Sequence, residues 1–341
     1  MHKVMKRWAV GTAALGLVMS AVGAASAQTG VLHSPAIDGN GTISEKVIHR
    51  SGASELHFGR FQPPAGSTGS SGPIQYHGGP VMQKVSKVVV IWYGNWNQTN
   101  GTDTPAGQQI IRDALFGMAA SPNASFTNWS GVTTGASSSL GVFAQTGPSG
   151  YVTQTSSSTL QEYTYVTKQN LTDAGVFSAV SSVVKSNFDP NAIYLVLSSS
   201  DISESSGFLT QYCGWHTYAS VGGQAIKYAF IGNPNRALYA CAAQTVSPNG
   251  NAGVDAMISV IAHELEETVT DPQLNAWYDA SGAETGDKCA WTFGSSQTKL
   301  ASGAYFNVTL PTAAKGTRNY LIQRALAPNS RCYVNATGGK Q

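Results

Sequence analysis

The amino-acid sequence predicts an α/β (α+β) fold, a single domain with a mixed, mostly parallel sheet that ends in an edge strand. Two apolar runs, 87–93 and 192–197, are rich in β-branched residues and are typical of strands buried on both faces. Three segments with helical apolar spacing alternate with such strands, and this alternation favours a mixed sheet covered by helices. One hydrophobic core can fill a domain of this size.

The three helices are marked by their first residues and by their apolar spacing. Thr104 and Pro105 suit the N-cap and the first position of the first helix. Asp173 is a candidate cap for the second helix, whose regularly spaced valines continue to Val184. The third helix is expected over about 254–269.

The remaining strands are more weakly marked. The segment 123–170 is rich in Ser, Thr, Gly and Gln and contains only two short candidate strands, at 151–152 and 163–166. A further short strand is expected at 228–232. The stretch 216–230 is the candidate for the edge of the sheet.

The first 27 residues are typical of a secretory signal peptide. A basic start is followed by an apolar run at 8–22 and by the small-residue exit Ala25-Ser26-Ala27. The run is short for a membrane span of about 20 residues, so we expect cleavage and secretion, with no span left in the mature chain. Residues 28–75 contain a Ser/Gly/Pro-rich stretch that indicates a flexible arm or a pro-segment, and the folded domain is expected at 76–341.

The charge balance excludes one class of partner. Charged residues make up 11% of the chain, and loss of the signal peptide would change the formal charge from +2 to −1 because it removes Lys3, Lys6 and Arg7. A near-neutral chain offers no electrostatic basis for binding nucleic acid. The sequence does not determine an oligomeric state.

Four cysteines, Cys213, Cys241, Cys289 and Cys332, indicate two disulfides in a secreted protein. Four cysteines allow three pairings, and sequence alone does not choose among them. We favour the most local pairing, Cys213 with Cys241 and Cys289 with Cys332. No C-x-x-C spacing occurs, which argues against a cysteine-rich zinc site.

The third helix carries a candidate active site. His263, Glu264 and Glu267 form an H-E-x-x-E pattern, which is similar to the H-E-x-x-H signature of zinc proteases with the second histidine replaced by glutamate. The four-residue spacing places His263 and Glu267 on one face of the helix as candidate metal ligands. Glu264 is then the candidate general base for an attacking water. The resemblance implies a zincin-like domain built around this helix.

A catalytic zinc site needs a third protein ligand. Glu284, 17 residues beyond Glu267, is the candidate, with Asp287 supporting or replacing it. His216 is a second candidate, although a lone histidine is more often structural, and Tyr278 is either a substrate contact or a packing residue. One histidine with several carboxylates suits Zn²⁺ but discriminates less well against Mn²⁺ or Ca²⁺.

Five blocks of the sequence resemble the EXORDIUM, or phosphate-induced protein 1, family over about residues 76–335. The blocks are YHGGP at 76–80, IWYGNW at 91–96, CGWH at 213–216, VDAMISVIAHEL at 254–265 and NAWY at 275–278. The resemblance implies a secreted protein, and plant members are associated with the cell wall and with growth. It also implies that the glutamate at 267 is a trait of the family. The long N-terminal arm and Lys288 depart from the family pattern and argue against transferring a plant growth role.

These observations favour a secreted zinc-dependent metallohydrolase, a peptidase whose extended substrate pairs with the edge strand. The alternative is a non-catalytic extracellular protein that binds the cell wall or a partner and uses the same acids to hold a structural metal ion. A glycoside hydrolase with paired carboxylates is less favoured, because no spacing in the sequence selects a pair. The chain contains no G-x-S-x-G elbow and no phosphate-binding P-loop.

Overall fold

The computed structural model describes residues 72–82, 85, 87–120, 170–185, 188–326 and 331–334, together with the backbone of five further strands, at 32–37, 43–48, 131–132, 143–144 and 160–165. The expected signal peptide at 1–27, the candidate strand at 151–152 and much of the arm at 28–75 lie outside the described residues.

The described helices include the three that the sequence predicts. They are α1 (Pro105–Ala120), α2 (Asp173–Val184), the single turn α3 (Leu238–Cys241) and α4 (Ala252–Thr270), with 3₁₀ turns at Pro234–Ala237 and Asp287–Cys289. None of the helices in the described part of the chain is long and apolar enough to cross a membrane.

The helix caps agree with the prediction for α1 and differ for α2. Thr104 caps α1, since its Oγ1 accepts a hydrogen bond from Gly107 N at 3.0 Å. The cap of α2 is Thr172, whose Oγ1 accepts from Gly175 N at 3.1 Å, so the predicted cap Asp173 is wrong by one residue. Asp173 is instead the first helical residue, where its negative charge complements the positive end of the helix dipole.

The strands are mostly short apart from those of one central sheet. In chain order they are β1 (Leu32–Ile37), β2 (Ile43–Ile48), β3 (Gln75–Tyr76), β4 (Val88–Tyr93), β5 (Gly131–Val132), β6 (Phe143–Ala144), β7 (Leu160–Tyr165), β8 (Asn170–Leu171), β9 (Ile193–Ser198), β10 (Ser203–Glu204), β11 (Gly214–Val221), β12 (Gln224–Gly232), β13 (Trp277–Tyr278), β14 (Thr298–Lys299), β15 (Tyr305–Phe306), β16 (Val308–Pro311), β17 (Thr317–Tyr320), β18 (Ala325–Leu326) and β19 (Cys332–Tyr333).

The central sheet has five strands in the order β11–β12–β9–β4–β7. The strands β12, β9, β4 and β7 run parallel to one another, and the edge strand β11 is antiparallel to β12. Every residue of β4 and of β9 is buried, as expected for strands covered on both faces. The prediction of a mixed, mostly parallel sheet with an edge strand is therefore confirmed.

The predicted edge stretch 216–230 proves to be two strands, of which only β11 is the edge. Gly222 and Gly223 have φ values of 58° and 78°, and two such residues in succession form the tight hairpin turn between β11 and β12. The segment predicted as a short strand at 228–232 is the buried end of β12, a nine-residue strand.

Helices cover both faces of the sheet. Gly214 faces α4, because a Cβ atom there would lie 2.6 Å from Val260 Cγ1. The next side chain, Trp215, points to the opposite face, where its ring lies 5.8 Å from Tyr228. The Tyr228 ring is in turn 5.8 Å from Phe177 of α2. The helix α4, with α1 packed beside it, therefore covers one face, and α2 covers the other.

Two disulfides join Cys213 to Cys241 and Cys289 to Cys332, which confirms the favoured local pairing. The first ties the start of the edge strand β11 to α3. The second ties the 3₁₀ turn at Asp287–Cys289 to β19. Both therefore anchor segments that border the acidic face of α4, which is the face that carries His263, Glu264 and Glu267.

Candidate metal centre

The helix α4 is fixed at both ends by side chains. Asn251 is its N-cap and accepts a hydrogen bond from Val254 N at 3.2 Å. At the other end, Asp271 accepts hydrogen bonds of 2.6 Å from the backbone N–H groups of Asn275 and Ala276. The capped helix holds the H-E-x-x-E residues at a constant position against the sheet.

The edge strand β11 and the loop that follows β13 both pack against the acidic face of α4. They bring together His216, His263, Glu264, Glu267, Glu284 and Asp287. All six are buried except Asp287, whose side chain is 12% exposed. The structure thus places every predicted ligand, and the predicted base, in one buried cluster.

Within the cluster the ligand atoms form two sets that share Glu267. In the first set, His263 Nε2 lies 3.1 Å from Glu267 Oε1 and 3.5 Å from Asp287 Oδ1. In the second set, His216 Nε2 lies 3.1 Å from Glu284 Oε2 and 3.8 Å from Glu267 Oε2. Glu284, the first choice as partner of His263, therefore lies with His216, and Asp287 takes the position beside His263.

The loop that carries Glu284 and Asp287 is folded around Asp279. Asp279 Oδ1 accepts hydrogen bonds from Ser281 N at 2.8 Å and Ala283 N at 3.0 Å. Its Oδ2 forms a 2.6 Å ion pair with Lys288 Nζ. Lys288, the residue that departs from the family pattern, therefore neutralises a buried aspartate at the base of the loop.

Hydrogen bonds within the loop orient Asp287 toward the helix. Its Oδ2 accepts from Glu284 N at 3.1 Å, which leaves Oδ1 directed at His263. Its backbone N–H donates to Glu267 Oε1 at 3.0 Å. The loop and the helix are thus held together by the same groups that form the first ligand set.

Two glycines permit the close approach of the segments, and the sequence patterns did not identify either of them. A Cβ atom on Gly286 would lie 2.6 Å from His263 Nδ1 and 2.9 Å from Glu267 Oε1. A Cβ atom on Gly214 would lie 3.1 Å from Glu264 Oε1. Any larger residue at either position would have to displace the cluster or its loop.

Gln323 is a further residue of the site that sequence reasoning missed. Its side-chain amide contacts His263 Nδ1, and its Oε1 accepts a long hydrogen bond of 3.3 Å from Trp291 N. A half-turn of the amide exchanges its two ends and gives up the long hydrogen bond from Trp291 N. With Oε1 toward the ring, Gln323 accepts a hydrogen bond from Nδ1–H, and His263 Nε2 is then available as the ligand atom.

Replacing Gln323 with leucine should weaken Zn²⁺ binding by about 10–100-fold, because the imidazole loses the group that fixes its tautomer and orientation. Gln323→Glu should retain wild-type affinity or exceed it, since a carboxylate accepts the same hydrogen bond. Isothermal titration of the two variants with Zn²⁺ measures the difference. Equal affinities in Gln323→Leu and the wild type would refute this role.

The carboxyl groups of the cluster outnumber its histidines, and this imbalance shifts the pKa values of its members. Burial alone would lower the pKa of the His263 imidazole, but the negative charges of Glu267 and Asp287 outweigh it and raise that pKa well above its ordinary value. Burial raises the pKa of the Glu264 carboxyl well above its ordinary value; His263 opposes the rise, and Glu267 and Asp287 add to it. Protons or cations must therefore compensate the buried carboxylates.

Tyr278 and the preceding residue, Trp277, make contacts outside the histidine–carboxylate cluster. Trp277 is fully buried in the pairing of β13 with β3 and packs in the core. The Tyr278 ring stacks on His77 with a centroid separation of 3.7 Å and an interplanar angle of 4°. Tyr278 belongs to neither ligand set.

Fold and cluster together define an α+β protein with a buried histidine–carboxylate centre between its main helix and an edge strand. The chain belongs to the phosphate-induced protein 1 family, whose conserved region matches residues 74–333. It is 30% identical to the Arabidopsis thaliana protein EXORDIUM-like 5 over 75% of this chain and 76% of the relative. Identity to EXORDIUM-like 3 of the same plant is also 30%, over 73% and 79%. Identity to the protein EXORDIUM of that plant is 24%, over 65% and 74%. No solved structure matches.

Proposed function

We propose that this protein is a secreted, divalent-metal-dependent hydrolase of the peptidase class, with a zincin-like active site. The single observation that carries the proposal is the first ligand set. Two carboxylate oxygens lie beside the Nε2 atom of His263: Glu267 Oε1 at 3.1 Å and Asp287 Oδ1 at 3.5 Å. The adjacent glutamate, Glu264, lies in the same buried cluster without belonging to either ligand set.

The donor set fits Zn²⁺. Ligands bound tetrahedrally at about 2.1 Å lie about 3.4 Å from one another. The separations of 3.1 and 3.5 Å around His263 Nε2 are close to that value. The carboxylates also need a compensating cation in a buried setting. Mn²⁺ and Ca²⁺ remain competitors because oxygen ligands predominate.

The chemistry divides between the ion and the protein. A divalent ion supplies Lewis acidity that polarises a carbonyl and acidifies water. Glu264 is the group that accepts the proton of the attacking water and later delivers it to the leaving amine. The tight packing of α4 against β11 excludes other water from this carboxyl, which is 3% exposed. Neutralisation of Glu267 and Asp287 by the cation would favour the ionised form of Glu264 that this role needs.

An extended peptide is the substrate that the surroundings favour. The edge strand β11 carries His216 and runs beside α4. A peptide can add to such an edge through main-chain hydrogen bonds, and this places its carbonyl groups next to the cluster.

Secretion rests on the signal-like N-terminus and on the two disulfides, which persist in an oxidising compartment. The same cluster would serve the alternative function, a non-catalytic extracellular protein that binds the cell wall or a partner. In that case the ion would be structural. The two functions differ in whether removal of the ion abolishes a reaction or only lowers stability.

Metal removal separates these functions. The purified protein should contain a divalent ion and should cleave peptides in a mixture of extended sequences, followed by mass spectrometry. Chelation should abolish cleavage, and Zn²⁺ should restore it, with Mn²⁺ and Ca²⁺ tested alongside. A protein that binds no divalent ion contradicts the proposal. A metal-loaded protein that cleaves no peptide, and loses only thermal stability on chelation, supports the structural alternative.

A further inference from the structure

The carboxylate of Glu267 faces two histidines with its two different oxygens. Its Oε1 is 3.1 Å from His263 Nε2, and its Oε2 is 3.8 Å from His216 Nε2. The histidines come from different segments, α4 and β11, and lie on either side of the carboxylate. A single ion satisfies one oxygen of this group and leaves the other directed at the second histidine.

Each histidine also has a carboxylate of its own. Asp287 belongs to His263, and Glu284 belongs to His216, at 3.5 and 3.1 Å from the respective Nε2 atoms. Glu267 is the one residue that the two sets share. The cluster therefore consists of two half-sites of the same composition. Each has one imidazole, one carboxylate that belongs to that half-site alone, and one oxygen of Glu267.

The first half-site has lone pairs available for an ion. The backbone N–H of Asp287 donates to Glu267 Oε1 at 3.0 Å, but a carboxylate oxygen has a second lone pair. Asp287 Oδ2 accepts from Glu284 N, which leaves Oδ1 for an ion. The hydrogen bonds of the loop thus orient the ligand atoms without occupying them.

Charge also favours two ions over one. The cluster contains four carboxyl groups, those of Glu264, Glu267, Glu284 and Asp287, and the two imidazoles are neutral when they act as ligands. When all four are ionised, one divalent ion would leave two formal negative charges in a largely buried site. Two divalent ions neutralise all four carboxylates, and uncompensated charge in such a site is strongly unfavourable.

We propose that the cluster is a binuclear centre, in which Glu267 bridges two divalent ions. The first ion is held by His263 and Asp287, and the second by His216 and Glu284. The inference rests on the proposed function for the first ion and adds the second. Carboxylate-bridged ions in hydrolases lie about 3.5–4 Å apart. The second ion lies on the side of the edge strand, where an extended peptide would pair.

Metal stoichiometry tests the second site directly. The wild-type protein, saturated with Zn²⁺ and freed of excess, should retain two ions per chain. His216→Ala and Asp287→Asn should each retain one ion, because each removes a ligand that belongs to only one half-site. Glu267→Gln should weaken both ions by at least about tenfold. His77→Ala replaces a histidine outside the cluster and should retain two ions. Near-UV circular dichroism confirms that each variant is folded.

A spectroscopic measurement on the unaltered protein makes the test independent of the variants. Two Mn²⁺ ions bridged by a carboxylate are exchange-coupled and give a broad multiline electron paramagnetic resonance spectrum, whereas one isolated Mn²⁺ gives six lines. The coupled spectrum supports the proposal. One ion per chain with an uncoupled spectrum overturns the binuclear centre, even if peptide cleavage is intact. Two ions without cleavage would overturn the hydrolase and leave the binuclear centre standing.

Discussion

Replacing Glu264 with glutamine should lower peptide hydrolysis by a factor of about 10²–10⁴ and leave the metal content of the protein unchanged. The amide has the size of the carboxyl but cannot accept a proton from the attacking water. Glu264 lies in the cluster without belonging to either ligand set, so the proposed ions would lose no ligand. Hydrolysis rates and elemental analysis of the same preparation measure both effects.

Glu266→Gln is the matched control for this experiment. It makes the same chemical change two residues along α4, at a buried glutamate that belongs to neither ligand set. The control variant should cleave peptides at the wild-type rate. Full activity in Glu264→Gln, or an equal loss in both variants, would contradict the assignment of Glu264 as the base.

A methyl group at Gly286 should disrupt the centre. The added Cβ would lie 2.6 Å from His263 Nδ1 and 2.9 Å from Glu267 Oε1, both closer than such contacts allow. Relief of the clash must move the loop or turn the imidazole. Gly286→Ala should therefore lower the free energy of unfolding by about 1–3 kcal/mol. Zn²⁺ affinity should fall with it, because the ligand geometry is lost.

Gly316→Ala is the comparison for this variant. Its Cβ would meet only Thr312 Oγ1 at 3.4 Å, an ordinary contact distance. Denaturant unfolding and Zn²⁺ titration of both variants give the two quantities. Wild-type Zn²⁺ affinity in Gly286→Ala would show that residue 286 does not lie as close to His263 and Glu267 as the structure describes.

Local patterns were sufficient to predict the parts of the fold that depend on neighbouring residues. The strand at Val88–Tyr93 and the helix α4 follow from apolar spacing, and α1 follows from its cap. The edge strand was located only within a longer stretch. Its boundary depends on the Gly222-Gly223 turn, a two-glycine hairpin signal that the sequence prediction did not use.

The six candidate residues lie together in the structure, whereas their pairing was not predicted. The H-E-x-x-E spacing fixes His263 and Glu267 on one helix face, and this is local information. The partners of the two histidines depend on how the loop after β13 turns, since Glu284 and Asp287 are only three residues apart. Gln323 reaches His263 across 60 residues of sequence, and no local pattern encodes such a contact.

Anomalous X-ray scattering from Zn²⁺-loaded crystals would show whether His263, Glu267 and Asp287 hold a divalent cation, as we propose. Data collected above and below the zinc edge should show a peak about 2.0–2.2 Å from His263 Nε2 and from an oxygen of Glu267. Well-ordered crystals with no anomalous peak at His263, or with zinc bound only elsewhere, would show that these three residues do not form a metal site.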